Sequence, residues 1–247
     1  MNDIFGRALM SCYRGEKEPV MLCREDGRKD EFDLQGLFTP YSEWPECERK
    51  ALTHVKGRVL DIGCGSGRHS LWLQERGIDV VAIDISSLAV RVAKARGVKV
   101  PLLMAAQGLA FAPDAVDTVL LLGNNFGICG NITDTQRMMR QLYRIVSEDG
   151  CVITSCRDVT GTSDPEHLSY QELNRKRGRP IGQITIRVEY KGNVGEWFDL
   201  LMVAPQEMKG ICKNEGWITE KVYKSENGGY AAILRREPSE HPFVVPK

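Results

Sequence analysis

Val59-Leu60-Asp61-Ile62-Gly63-Cys64-Gly65-Ser66-Gly67 decides how the rest of the chain is read. A short run rich in branched apolar residues passes into a turn of three alternating glycines, and helical patterning follows over 68–76. A strand that enters a helix through such a turn is the opening unit of a parallel α/β sheet. Glycine is needed in the turn because it accepts positive φ and lets the backbone approach a ligand closely. The turn also falls at the carboxyl edge of the sheet, where α/β folds bind ligands. A dinucleotide loop would read G-x-G-x-x-G and set a pyrophosphate on the helix N-terminus, whereas this loop reads G-x-G-x-G.

Outward from the loop, residues 57–150 alternate short apolar runs with amphipathic segments. Strands are expected over 58–62, 79–84, 99–103, 116–122 and 151–155, mostly as continuous apolar runs, as strands covered on both faces require. Helices are expected over 68–76, 87–96 and 134–146. Ser86 and Thr133 suit N-cap positions, and Gly77 and Gly97 suit left-handed stops. Met138, Leu142, Ile145 and Val146 form one apolar stripe that belongs to the core. Closing strands near 218–223 and 230–234, after a short helix over 205–215, complete an α/β fold. Its sheet is seven-stranded and mostly parallel, with helices on both faces.

Two segments lie outside this rhythm. Residues 1–56 form a helical leader with a helix over 45–55, preceded by Tyr41 and Trp44; it either covers the ligand site as a lid or packs as an ordinary helix on the sheet edge. Residues 157–203 are an insertion in the main domain, 57–247. Within it the alternating run 183–190, the turn Gly192-Asn193 and a second run over 196–203 form a β-hairpin, either a substrate cap or a purely structural element. The tail from Pro238 is expected to be loosely held.

Composition excludes several classes. No apolar run approaches the roughly 20 residues that span a bilayer, and residues 1–7 lack the features of a secretory signal, so the chain reads as cytoplasmic. Eight cysteines show no C-x-x-C pair and no clustering with the four histidines, which argues for reduced apolar fillers and against structural zinc. Lysine and arginine, 33 together, balance 33 acidic residues, so nucleic acid is disfavoured as a partner.

The acid Asp61 with Gly63, Cys64, Gly65 and Gly67, on their strand, resembles the first motif of class I S-adenosylmethionine-dependent methyltransferases. The resemblance implies a Rossmann-like methyltransferase sheet and S-adenosylmethionine as cofactor, with its methionine part on the glycine loop. It further implies an acid closing the second strand and bonded to both ribose hydroxyls. Asp84 holds that place, with Ile85 beside it, and a carboxylate can accept both hydroxyl protons at once. Asp84 as a helix cap is the competing reading. Asp61 is either a carboxylate orienting the loop or the cofactor's ammonium, or a structural group. The third motif departs from the family pattern, because Ala105 stands where an acid often meets the adenine amino group. The backbone of Ala106 with Gln107 is then expected to read the adenine edge, with Met104 or Leu109 on its face.

On the acceptor side, Leu121-Leu122-Gly123-Asn124-Asn125-Phe126 lacks the N/D-P-P-Y/F motif of adenine and glutamine methylases. It resembles the L-G-N-S-F segment of glycine N-methyltransferases, and Cys151–Asp158 resembles their segment ending in H-R-N. The resemblance implies that Arg157 grips a substrate carboxylate and that Asn124 or Asn125 positions the substrate. We assign Asn125 and Arg157 to the acceptor side, and Gly123 and Asn124 to the cofactor side. A planar guanidinium suits bidentate carboxylate recognition, against the alternative of Arg157 paired to Asp158 or another surface acid. Methyl transfer to an amino or carboxyl group of a small molecule is the expected activity, with no metal. The basic cluster Arg175, Lys176, Arg177 and Arg179 is a solvated face or a docking surface for peptide, protein or RNA. His167 and Tyr170 are candidate cap residues, and a non-catalytic S-adenosylmethionine binder is the alternative from another class.

Overall fold

The leader is more than helical. In the computed structural model, which describes residues 3–237, it forms α1 (Ile4–Tyr13), β1 (Val20–Arg24), β2 (Lys29–Phe32), 3-10 turns at Gln35–Phe38 and Tyr41–Glu43, and α2 (Glu46–Ala51). The expected helix over 45–55 is α2 continued by a 3-10 turn, Leu52–His54. β2 shows no alternating strand pattern, because Lys29, Asp30 and Glu31 are exposed, and it is held at the edge by β1, which pairs in turn with the distant β8. The tail from Pro238 lies outside the described residues.

The alternating core follows as β3 (Val59–Ile62), α3 (Arg68–Gln74), β4 (Val80–Asp84), α4 (Ser87–Arg96), β5 (Val100–Leu103), β6 (Val116–Leu121), α5 (Ile132–Ile145) and β7 (Val146–Arg157). Asn131, rather than Thr133, caps α5: its side chain accepts the Asp134 N–H at 2.9 Å, which starts the helix at Ile132. Ser86 caps α4 as expected, accepting the Ala89 N–H at 2.9 Å. The insertion contributes α6 (Pro165–Lys176), β8 (Gln183–Tyr190), β9 (Asn193–Val194) and β10 (Phe198–Leu201). The last elements of the described residues are α7 (Pro205–Lys213), β11 (Trp217–Lys224) and β12 (Gly229–Arg236).

The main sheet has seven strands in the order β11-β12-β7-β6-β3-β4-β5, parallel from β7 to β5, with β12 reversed between β11 and β7. Alternate residues of its central strands divide between two cores. Leu60, Ile62, Val119, Leu121 and Val152 pack with Met138, Leu142 and Ile145 of α5 and Met208 of α7. Val59, Val80, Leu120 and Ile153 pack with Trp44, Cys47 and Ala51 of the leader and Leu73 of α3. Each such buried aliphatic side chain stabilises the fold by about 1.5–3 kcal/mol relative to exposure, which makes the sheet a rigid platform for its loops.

A second, antiparallel sheet joins leader to insertion in the order β10-β8-β1-β2, with β9 on β8. Val20 of β1 and Val188 and Tyr190 of β8 share a core with Ile4 and Leu9 of α1 and with Ala89 and Val92 of α4. The expected hairpin is therefore present, and the leader completes its sheet.

Candidate cofactor and acceptor site

Gly63, Gly65 and Gly67 all take positive φ, at 71°, 54° and 77°. The Gly63 and Cys64 N–H groups donate to the Ile83 carbonyl at 2.8 and 3.0 Å, and the Gly65 N–H donates to Asp84 Oδ2 at 2.9 Å. These bonds tie the loop to the end of β4. Space around the glycines differs. A Cβ on Gly67 would come within 2.6 Å of Val98 Cγ2 and one on Gly63 within 2.5 Å of Asn125 Nδ2, whereas a Cβ on Gly65 would meet nothing within 4 Å. Gly65 thus presents bare backbone to open space, as a ligand-approach position requires. Cys64 is buried, and Asp61 accepts the Ser70 hydroxyl at 2.7 Å beneath the loop. Burial pushes the Asp61 carboxyl up.

Asp84 stands at the carboxyl end of β4, accepting Ser86 N–H through Oδ1 at 2.9 Å and Gly65 N–H through Oδ2. Burial raises its carboxyl and these two donors partly offset the rise. Ser86 supplies the side-chain cap of α4, so Asp84 is not that cap; it orders the loop, and its two donors leave lone pairs on both oxygens. Ile85 and Leu103, beside it, are 60% and 62% exposed, an apolar rim at the edge of the site.

Ala106 is buried and Gln107 exposed. Their loop is held by residues that the pattern of the sequence does not single out. Gln141 of α5 donates to the Gln107 carbonyl at 2.9 Å and accepts the Leu109 N–H at 3.0 Å, while Arg144 donates to the Phe111 carbonyl at 2.7 Å. The available signal was their place at the border of the Met138–Leu142–Ile145 stripe.

At the end of β6, Asn124 adopts φ 71°, its N–H donating to the Ser155 carbonyl at 3.1 Å and its Oδ1 accepting the Arg157 N–H at 2.9 Å. Gly123 N–H donates to Ser155 Oγ at 2.7 Å. Asn125 directs its amide to the Ile62 and Gly63 carbonyls at 2.8 and 3.1 Å, so its side chain clamps the glycine loop. Arg157 is exposed; its guanidinium donates to the Asn227 carbonyl at 3.3 Å and makes no ion pair, with Asp158 or any other acid, among the described residues.

The leader reaches this edge directly. Ser66 donates its hydroxyl to the Leu37 carbonyl, Arg68 donates to the Gly36 carbonyl at 2.7 Å, and the Arg96 guanidinium lies 4.9 Å from the Phe38 ring centroid. Glu48 of α2, 4% exposed, accepts the Ser155 hydroxyl at 2.6 Å and Arg68 Nη2 at 3.3 Å. Burial pushes Glu48 up, but His69, Ser155 and Arg68 outweigh it and hold the carboxyl at about 2. Nothing in the sequence of α2 marks Glu48 off from its exposed neighbour Glu46.

The other candidates lie elsewhere. Tyr170 is buried, donating to Glu25 at 2.9 Å and accepting the Thr185 N–H at 3.1 Å, and His167 Nδ1 meets Arg24 at 2.9 Å. Arg177 and Arg179 share Glu25, at 2.5 and 3.9 Å, and Arg175 pairs with Glu172 at 3.3 Å. Two carboxylates, Glu25 on the β1–β2 turn and Glu172 on α6, thus offset half of the four positive charges of the cluster. Among the described residues no group of His, Cys, Asp or Glu is arranged to hold a metal, no cysteine forms a disulfide, and no helix is long and apolar enough to cross a membrane.

Comparison with known proteins agrees with this geometry. The family described as "Methyltransferase domain" matches residues 60–154. A crystal structure of an S-adenosylmethionine-dependent methyltransferase from Bacteroides fragilis, in complex with S-adenosyl-L-homocysteine, is 30% identical and superposes with a TM-score of 0.82 over 95% of each chain. A malonyl-[acyl-carrier protein] O-methyltransferase from Salmonella typhimurium is 34% identical over 107 residues, 41% of each chain. A glycine/sarcosine N-methyltransferase from Aphanothece halophytica is 29% identical over 111 residues, 42% of each. The chain spans less than half the length of these two curated relatives. With the glycine loop, Asp84 and the seven-stranded sheet in place, the chain belongs to the class I S-adenosylmethionine-dependent methyltransferases.

Proposed function

We propose that this protein transfers a methyl group from S-adenosylmethionine to an amino or carboxyl group of a small molecule. The observation that carries this reading is Arg157. Its exposed guanidinium, without an acidic partner among the described residues, stands at the end of β7, its backbone N–H held by Asn124 on the turn beside the glycine loop. Such a cation suits a carboxylate-bearing acceptor. Two relatives are compatible with an oxygen or nitrogen acceptor by their names, a malonyl-[acyl-carrier protein] O-methyltransferase and a glycine/sarcosine N-methyltransferase, the second of them with a small-molecule acceptor. Glu172 and Glu25 offset two of the four charges of the basic cluster, which weakens it as a docking surface for RNA or acidic peptide.

The methyl sulfonium supplies the reactive group. The protein's part is to align an acceptor opposite the departing sulfur and to exclude water, and alignment of this kind is worth roughly 7–11 kcal/mol. Gly63, Cys64, Gly65 and Gly67 are assigned to the methionine end, Asp84 to the ribose, and Ile85, Ala106 and Gln107 to the adenine. Asp61 supports the loop from below. Gly123 and Asn124 border the methionine end, Asn125 positions the loop, and Arg157 orients the acceptor. No dedicated base is required when the acceptor is a carboxylate or a neutral amine.

Incubation with methyl-labelled S-adenosylmethionine and fractionated cell extract tests the reading. Label should enter a small-molecule fraction and fall at least tenfold with Arg157→Ala. Label in protein or RNA, or full turnover by Arg157→Ala, would overturn it.

A further inference from the structure

Glu48 is the one carboxylate of α2 that the fold buries, and it lies where three segments meet. Its Oε1 accepts the Ser155 hydroxyl at 2.6 Å; the same hydroxyl oxygen accepts the Gly123 N–H at 2.7 Å. A serine hydroxyl has one proton, so donation to Glu48 leaves its lone pairs for Gly123, and the chain of donors is unambiguous. Its Oε2 accepts Arg68 Nη2 at 3.3 Å, and Arg68 Nη1 donates to the Gly36 carbonyl at 2.7 Å. One charge therefore links the Gly123–Asn124 turn, the first residue of the helix behind the glycine loop, and the leader segment that receives Ser66 through Leu37.

We propose that Glu48 is a positioning residue for the methionine end of S-adenosylmethionine. Through Ser155 it sets the backbone of Gly123 and Asn124, and through Arg68 it holds the leader against the glycine loop. The turn it controls adjoins that loop, because Asn125 bonds the Ile62 and Gly63 carbonyls. The nucleoside end is anchored separately: Asp84 is fixed by Gly65 and Ser86, and Ser86 in turn donates to Asp3 at 2.6 Å. Neither of those anchors passes through Glu48. Buried charge is costly when unpaired, and full pairing makes this cluster a rigid joint.

Ligand truncation separates this role from general damage to the fold. S-Adenosylhomocysteine carries the amino-acid end and 5′-methylthioadenosine lacks it, so calorimetric affinities for the two are compared on Glu48→Gln, Ser155→Ala and Ser155→Thr. Ser155→Ala removes one oxygen and leaves Glu48 with Arg68, so it remains informative if Glu48→Gln fails to fold. The expected result is an affinity for S-adenosylhomocysteine at least tenfold weaker in Ser155→Ala and Glu48→Gln, with 5′-methylthioadenosine within about twofold of the parent chain and recovery in Ser155→Thr. Equal losses for both ligands, or no loss for either, would overturn the proposal.

Discussion

Alanine at Gly65 and alanine at Gly67 should fail in different ways, although the two positions are two residues apart in one loop. Both sit at positive φ, so each substitution carries the left-handed cost of an L-residue, about 1–2 kcal/mol. At Gly67 the new methyl would also lie 2.6 Å from Val98 Cγ2 and 3.3 Å from Ala93 Cβ, both in a buried cluster, and such overpacking adds about 1–3 kcal/mol. For a chain of this length each kcal/mol lowers Tm by about 2–4 °C, so Gly67→Ala should lose about 4–20 °C and Gly65→Ala only about 2–8 °C. Cofactor affinity should run the other way. The methyl of Gly65→Ala enters the open space above the loop and displaces a ligand that must approach the backbone, weakening S-adenosylhomocysteine binding at least tenfold, about 1.4 kcal/mol. Gly67 points into the protein, so its folded fraction should bind within a few-fold of the parent. Thermal unfolding gives the first pair of values and titration calorimetry the second. Parent-like affinity in Gly65→Ala would refute the placement of the methionine end over this glycine.

Three other outcomes follow from named contacts. Asn125→Ala leaves the Ile62 and Gly63 carbonyls without their donor and should cost about 1–3 kcal/mol in chemical denaturation, together with loss of cofactor affinity. Gln141→Ala releases the 107–109 loop, so calorimetry should show 5′-methylthioadenosine and S-adenosylhomocysteine weakened alike, in contrast to Ser155→Ala. Glu48 is lowered from 4.5 to about 2; its contribution to stability is therefore full above about pH 4.5 and lost as pH falls toward 2, on the order of 3 kcal/mol. The difference in unfolding free energy between the parent and Glu48→Gln should shrink across that window, and a constant difference would show that Glu48 is not held ionised.

The parallel half of the fold was legible because its signals are local. The glycine run after β3, the apolar strands and the helix stops at Gly77 and Gly97 each depend on a few adjacent residues, and the positions assigned from them stand together at one sheet edge. The leader hairpin was not legible. Met21 pairs with Glu189, and Lys29 makes its ion pair with the same distant residue, so β1 is fixed by a partner far along the chain and β2 pairs, among the described residues, only with β1. The same distinction divides the site. Positions whose role lies in the backbone, such as Gly63, Gly65 and Asn124, announce themselves by glycine or by turn chemistry. Positions whose role lies in a side chain reaching across elements, such as Glu48, Gln141 and Ser155, are ordinary polar residues until the fold turns them inward.

That division bears on where acceptor specificity resides. Two asparagines follow β6, and resemblance leaves the substrate role open between them. The structure gives the Asn125 side-chain amide to two loop carbonyls, and Asn124 Oδ1 accepts the Arg157 N–H, so both side chains are occupied in shaping the floor. A side chain spent on the floor is a poor reader of the acceptor, because any change in it disturbs the donor loop as well. Arg157 is different: its guanidinium makes one long bond to a carbonyl and is otherwise open among the described residues. The leader meets the glycine loop through Gly36 and Leu37, and β10 of the insertion lies against the turn Asn125–Gly127, in a sheet that β1 and β8 build together. Variation in those two segments can change the acceptor without touching Gly63, Asp84 or Asn125. Exchange of the insertion between relatives should therefore alter acceptor choice while S-adenosylhomocysteine affinity is kept, provided that the exchanged segment still pairs with β1. A chimera that loses cofactor affinity along with its acceptor would show that donor and acceptor sites are not separable in this fold.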